Sequence, residues 1–255
     1  MVVKARKGRT VLGDFRQSGS LKCLFPRLPR GAFETVLVNT AGGVTGGDHF
    51  NLSALARPDT ALTLTTQACE RAYRAQPGQT GTVRTHLRVG PQARINWLPQ
   101  ETILFNGSAL DRKLTVELAQ GASFLMVEPM IFGRAAMGET LAQAHLNDRV
   151  DIRREGVPLY LDVTRLHGDV AQQLARPATG NGAGAMASVV LVSDLAEARL
   201  DEVRNLLPDT AGASLLRPDV MVLRLLAQDG FALRKTLVPA LSLLNGAPLP
   251  RCWMI

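Results

Sequence analysis

The 255-residue sequence contains no apolar run approaching the ~20 residues a bilayer-spanning helix needs. Lys4, Arg6, Lys7 and Arg9 give a basic start, but no export-type apolar segment follows them, which predicts a protein kept in the cytoplasm. Cysteine is scarce. Cys23, Cys69 and Cys252 are odd in number, far apart and without a C-x-x-C pair, so neither a disulfide framework nor a zinc knuckle is indicated. They read as three small thiols, with Cys69 the candidate for a transient metal contact. Aromatic residues are only 5%, too few for a base-stacking surface. His49, His86, His145 and His167 form no H-x-H or H-x-x-x-H, so no strand or helix presents two imidazoles together. The G-x-S-x-G of a nucleophile elbow is also missing.

The chain has ample apolar material to bury a core, at 46% hydrophobic residues. Its charge is lopsided. Residues 1–30 hold eight basic side chains against Asp14 alone and so carry the whole net charge of +7. Residues 1–12 read as a basic, flexible arm on a neutral body. Such an arm suits solvent, an acidic protein surface or nucleic acid. The body shows no basic stripe and no nucleic-acid module, which argues against the last.

Most of the sequence alternates with period 2. Val36 with Val38, Leu62 with Leu64, the set Val83, Thr85, Leu87 and Val89, then Leu114, Val116 and Leu118, Val150 with Ile152, and Leu159, Leu161 and Val163 each mark a half-buried strand. Turn clusters such as Arg57-Pro58-Asp59 and Asn106-Gly107 separate them. Residues 177–187 read as a Gly/Ala-rich loop. Asp194 with Glu197 announces one helix, and Asp229 a second whose buried stripe is Leu233, Leu237, Ala240, Leu241 and Leu244. Pro239 should kink that helix and Gly246 end it. The fold class expected is mainly β: one β-rich domain over 1–255, β-helix-like or of stacked sheets, with two α-helices near the C-terminus.

Two features could carry chemistry. The first is Gly42-Gly43-Val44-Thr45-Gly46-Gly47-Asp48, where a phosphate loop would sit. It lacks both the Gly-Lys-Ser/Thr ending of a P-loop and a G-x-G step, and no helix pattern follows. Gly42, Gly43, Gly46 and Gly47 are better explained by positive φ or close packing. A phosphate- or nucleotide-binding enzyme using this loop is the alternative function. The second feature is acidic residues within apolar runs. Glu101 follows Trp97-Leu98-Pro99-Gln100, Glu128 splits Phe124-Leu125-Met126-Val127 from Pro129-Met130-Ile131-Phe132, and Glu139 lies near Arg134. A carboxylate in a buried strand must be paired or hydrated. Either a buried Arg134–Glu pair fixes the fold, or Asp48, Glu101, Glu128 and Glu139 line a polar path for a divalent cation, with Arg134 orienting one of them.

Five segments, in order along the chain, closely resemble the urease accessory protein family UreD, also called UreH. They are Gln17-Ser18-Gly19-Ser20-Leu21-Lys22, Leu37-Val38-Asn39-Thr40-Ala41-Gly42-Gly43-Val44-Thr45-Gly46-Gly47-Asp48, Leu64-Thr65-Thr66-Gln67-Ala68, Trp97-Leu98-Pro99-Gln100-Glu101-Thr102-Ile103-Leu104-Phe105, and Phe132-Gly133-Arg134 with Gly138-Glu139. The resemblance runs from about residue 10 to Pro250-Arg251-Cys252-Trp253. It implies a β-rich protein that is not an enzyme. It further implies binding to a UreF-like protein and, through it, to the UreG-like GTPase. The complex would dock on apo-urease and deliver nickel(II), held only in transit, through an internal channel. A histidine-rich metal-storage tail is absent.

Overall fold

The computed structural model describes residues 1–27 and 33–254. Arg30, part of the basic stretch, lies outside them. The chain opens with β1 (Val2–Arg6), β2 (Arg9–Leu12), β3 (Leu21–Leu24) and β4 (Phe33–Asn39). Next come β5 (His49–Ala56), β6 (Ala61–Thr66), β7 (Glu70–Ala72), β8 (Gly81–Val89), β9 (Arg94–Leu98) and β10 (Thr102–Leu104). Four long strands follow: β11 (Ala109–Leu118), β12 (Ser123–Phe132), β13 (Ala144–Arg154) and β14 (Val157–Gly168). The last part contains α1 (Val170–Ala175), β15 (Ala185–Val192), α2 (Ala196–Arg204), β16 (Ala211–Arg217), β17 (Val220–Ala227) and α3 (Gly230–Asn245).

From β4 to β13 the chain alternates between two sheets, with β7 and β10 lying off both. The first runs β14-β13-β11-β8-β5-β1-β2 and the second β16-β17-β15-β12-β9-β6-β4-β3. Pairing within each is parallel from β5 through β8 and β11 to β13, and from β4 through β6 and β9 to β12. Each coil therefore stacks on the last at an offset of about 30 residues, as in a solenoid. The expected β-helix-like, mainly β fold is what forms. β7 and β10 make a short third face: they pair parallel with each other, and β10 also pairs parallel with the end of β12. The repeat is one of structure and leaves no visible period in the sequence.

The alternating residues fill the space between the sheets. Leu62, Leu87, Ile95, Val116 and Phe124 pack at one end. Leu104, Leu110, Met130, Leu146 and Leu166 pack at the other. The outer face of the second sheet is covered by α2, α3 and Trp253. α3 forms where the sequence indicates and runs unbroken through Pro239: Asp229 caps it by accepting from the Ala232 N–H at 2.7 Å, the five predicted stripe residues are buried, and Gly246 ends it at φ 64°. α2 starts one residue later than expected, at Ala196 with Leu195 rather than Asp194 at its N-cap, and the six-residue α1 was not anticipated.

Three expectations need correction. Residues 1–12 are no loose arm but a hairpin, with β1 paired antiparallel to β2 and parallel to β5. Lys7 and Gly8, at φ 50° and 70°, make the two-residue turn whose twist suits such a hairpin. Val3 is fully buried while Lys4 and Arg6 face solvent or the rim, so the charges masked a strand. Ala185, Met186 and Ala187 belong to β15, buried along its whole length, rather than to a loop. In β14 the partner of Ile152 is Tyr160 and that of Arg153 is Pro158, leaving Leu159 as a bulge. The bulge shifts the phase, so Leu159 is buried whereas Leu161 and Val163 point outward.

Stacking also creates a basic row invisible in the linear sequence. Arg84, Lys113 and Arg149 stand opposite one another on the first sheet. Such like charges repel. Asp111, 2.9 Å from Arg84, and Asp151, 3.4 Å from Arg149, offset the repulsion.

Candidate functional site

The inward face of β12 reads Phe124, Met126, Glu128, Met130, Phe132, which puts a carboxylate at the centre of the interior. β11 places Arg112 between Leu110 and Leu114, and β13 places Asp148 between Leu146 and Val150. Arg112 and Asp148 are register partners on adjacent strands. The three charges meet between the two apolar ends of the core. Arg112 Nη1 lies 2.7 Å from Glu128 Oε2, while its Nε and Nη2 reach Asp148 Oδ1 and Oδ2 at 2.9 and 2.7 Å. Trp97 donates its indole N–H to Glu128 Oε1 at 2.7 Å, and Arg112 also donates to Thr102 Oγ1 at 3.1 Å.

Burial pushes the Glu128 carboxyl above its ordinary value, helped by the nearby Asp148 charge and opposed by Arg112 and the Trp97 hydrogen bond. Burial alone would lower Arg112, but its two carboxylates reverse this and hold it firmly protonated. With one cation against two carboxylates, the ionised cluster has a net charge of −1.

A cavity of about 80 Å³ adjoins this cluster, with Glu128 and Arg112 in its wall. A surface pocket of about 160 Å³ holds Cys69 and Gly42. Leu21, Leu37, Thr66 and Glu70 line both. Glu70 is thus the charged group shared by the two cavities, between solvent and interior. Asn39 Nδ2 donates to both of its oxygens, at 3.2 and 3.1 Å, and to the Gly43 carbonyl at 2.8 Å. Burial raises the Glu70 carboxyl; the Asn39 hydrogen bond opposes this and the Asp48 charge adds to it.

The 42–48 loop borders this mouth and leads into β5, not into a helix, so no helix N-terminus faces it. Gly42 and Gly47 have φ of 82° and 85°. Gly43 and Gly46 are there for space instead. A Cβ on Gly43 would lie 2.6 Å from the Arg71 carbonyl oxygen, and one on Gly46 would lie 2.6 Å from Gln79 Cβ. Asp48 Oδ2 accepts from the Thr45 N–H at 2.8 Å and so closes the loop.

The four carboxylates proposed from sequence do not converge, and among the described residues no group of three or more His, Cys, Asp or Glu side chains could hold a metal ion. Only Glu128 borders the cavity. Glu101 is buried beneath α3, where Arg234 Nη1 holds it at 2.9 Å while Nη2 donates to the Trp253 carbonyl at 2.8 Å. Arg134 does orient a carboxylate, that of Glu139 at 2.8 Å, but at the surface rather than in the core. That hydrogen bond is the main cause lowering the Glu139 carboxyl. Arg112, Asp148, Glu70 and Trp97 are the site residues that sequence reading missed. Arg112 and Asp148 were nonetheless marked, since each occupies an inward position of an otherwise apolar alternation.

The model of the UreD urease accessory protein family matches residues 1–254. The chain belongs to the UreD family. A Ruegeria pomeroyi protein named urease accessory protein UreD is 59% identical over 246 residues, covering 96% of each chain. Relatives of the same name from Roseobacter denitrificans and Rhizobium rhizogenes are 51% and 44% identical, covering 99% of this chain and 92% and 93% of their own. These UreD relatives are named as accessory proteins rather than enzymes. Among the described residues, no helix of this UreD-family fold is long and apolar enough to cross a membrane.

Proposed function

We propose that this chain is a non-enzymatic scaffold of urease maturation, acting in the cytoplasm. It binds UreF-like and UreG-like accessory proteins and apo-urease, and it passes nickel(II) through its interior to the urease active site without retaining it. Family membership supports the maturation role. The observation that carries the transit reading is the buried Glu128 carboxylate on the cavity wall, with Glu70 and Cys69 at the adjoining mouth. Carboxylate oxygens hold a borderline divalent ion more weakly than a closed set of imidazoles or thiolates, which suits passage better than storage. Arg112 does not forbid a cation, because the ionised cluster remains negative by one charge.

Glu128→Gln and Glu70→Gln test the reading, by co-expression with urease and its other accessory proteins. Both variants should fold and enter the accessory complex in pull-downs, yet yield urease with less nickel and lower activity. Glu101→Gln and Glu139→Gln, each beside its own arginine away from the cavity, are the controls. Normal activation by Glu128→Gln and Glu70→Gln would make those groups purely structural.

A further inference from the structure

Outside the interior, the pairing of β13 with β14 sets His145 opposite His167. No local motif links them, but register brings their Nδ1 atoms to 3.0 Å. The rings are nearly perpendicular, at 81°, with centroids 5.3 Å apart. Both stand on the outer side of the first sheet, His167 on its last strand and exposed, His145 half-buried beside it. The backbone under each is anchored. The His145 N–H donates to the Ser108 carbonyl at 2.8 Å, and the His167 carbonyl accepts from the Gln173 side-chain amide.

The nitrogen separation has a chemical meaning. Two imidazole nitrogens bound at about 2.0–2.1 Å stand about 3.0 Å apart at a right angle and about 3.4 Å apart at a tetrahedral one. The observed 3.0 Å fits right-angle coordination. We propose that His145 and His167 chelate a divalent transition ion that favours this geometry, nickel(II) or copper(II), with water in its other positions. In the free protein one Nδ1 donates to the other. When two neutral rings bind the ion, the donor ring loses its Nδ1 proton and takes one up on Nε2 through solvent, the acceptor ring keeps its Nε2 proton, and both Nδ1 lone pairs turn to the ion, so the protons balance. The site lies on the face away from Glu128 and does not depend on the transit reading. His49, whose Nδ1 contacts Thr82 Oγ1 at 2.6 Å, and His86 have no second imidazole beside them and supply controls.

The test is calorimetric titration of the full chain with nickel(II) and with zinc(II). The wild type should bind one more nickel ion than a His145→Gln/His167→Gln double variant, and at this site nickel more tightly than zinc. Either single variant should lose at least about tenfold in affinity, as expected when one arm of a two-point attachment is removed. His49→Gln and His86→Gln should change nothing. Metal-free melting temperatures check that the variants fold. Should one not fold, paramagnetic resonance of copper(II) on the wild type decides: coupling to two imidazole nitrogens is expected, and coupling to one or none overturns the proposal. Equal nickel binding by the wild type and the double variant overturns it as well.

Discussion

Replacing Arg112 with methionine removes the cation on which both interior carboxylates depend. Its guanidinium makes contacts of 2.7 Å to Glu128 and of 2.7 and 2.9 Å to Asp148, and the three side chains are only 12%, 5% and 10% exposed. Methionine has a similar length and leaves no large void, so the cost is electrostatic. Breaking a buried ion pair by deleting one partner costs about 3–5 kcal/mol, which is two to three or more powers of ten in the folded-to-unfolded ratio. The loss should depend on pH. Because the folded-state pKa of Glu128 is raised, the folded chain keeps a proton that the unfolded chain has released. Stability therefore falls as pH rises from the ordinary value of 4.5 through the raised one. Without Arg112 that window extends upward, so the deficit of Arg112→Met relative to wild type should shrink between pH 7 and pH 5. Urea denaturation at several pH values measures it. Adding Glu128→Gln and Asp148→Asn to Arg112→Met should recover most of the loss, since neutral amides need no cation and the new side-chain carbonyl can still accept from Trp97. A single variant within about 1 kcal/mol of wild type at pH 7, or a deficit independent of pH, would refute the reasoning.

Arg134→Ala should leave the melting temperature nearly unchanged, because its pair with Glu139 is solvent-exposed. Gly47→Ala should cost about 1 kcal/mol through its positive φ, and Gly43→Ala more, because its methyl would strike the Arg71 carbonyl and the Tyr73 ring. Asp48→Ala should also cost about 1 kcal/mol by freeing the Thr45 N–H, which separate thermal melts would detect. Arg234→Ala should destabilise by roughly 2–3 kcal/mol. It releases Glu101 and the Trp253 carbonyl together, and hydrogen exchange should rise over 250–254.

Strands, the long helix and its caps were legible because their signals are local: alternation, a 3.6-residue stripe, Asp229 and Gly246. Hidden features depend on register or on what covers a strand. β15 looked like loop because small residues begin it, yet neighbours bury them on both faces. Leu161 and Val163 were assigned to the wrong face because a single bulged residue inverts the parity of everything after it. Glu128 was rightly singled out as a carboxylate needing a partner, but Arg134 was nearer in sequence than Arg112. The true partner is chosen by stacking β11 against β12 across the interior, which no short window contains. His145 and His167 read as isolated for a like reason, since only the pairing of β13 with β14 sets them side by side.

The hydrogen bond from Trp97 to Glu128 gives the protein an optical probe of its own centre. Only two tryptophans are present, and the other, Trp253, sits under α3. In a Trp253→Phe background all indole emission comes from Trp97, whose N–H faces one buried oxygen. Protonating that carboxyl or bringing a cation to it changes the field along the indole dipole, and the emission maximum should move accordingly. Stopped-flow fluorescence could then time an ion's arrival in the interior without any added dye.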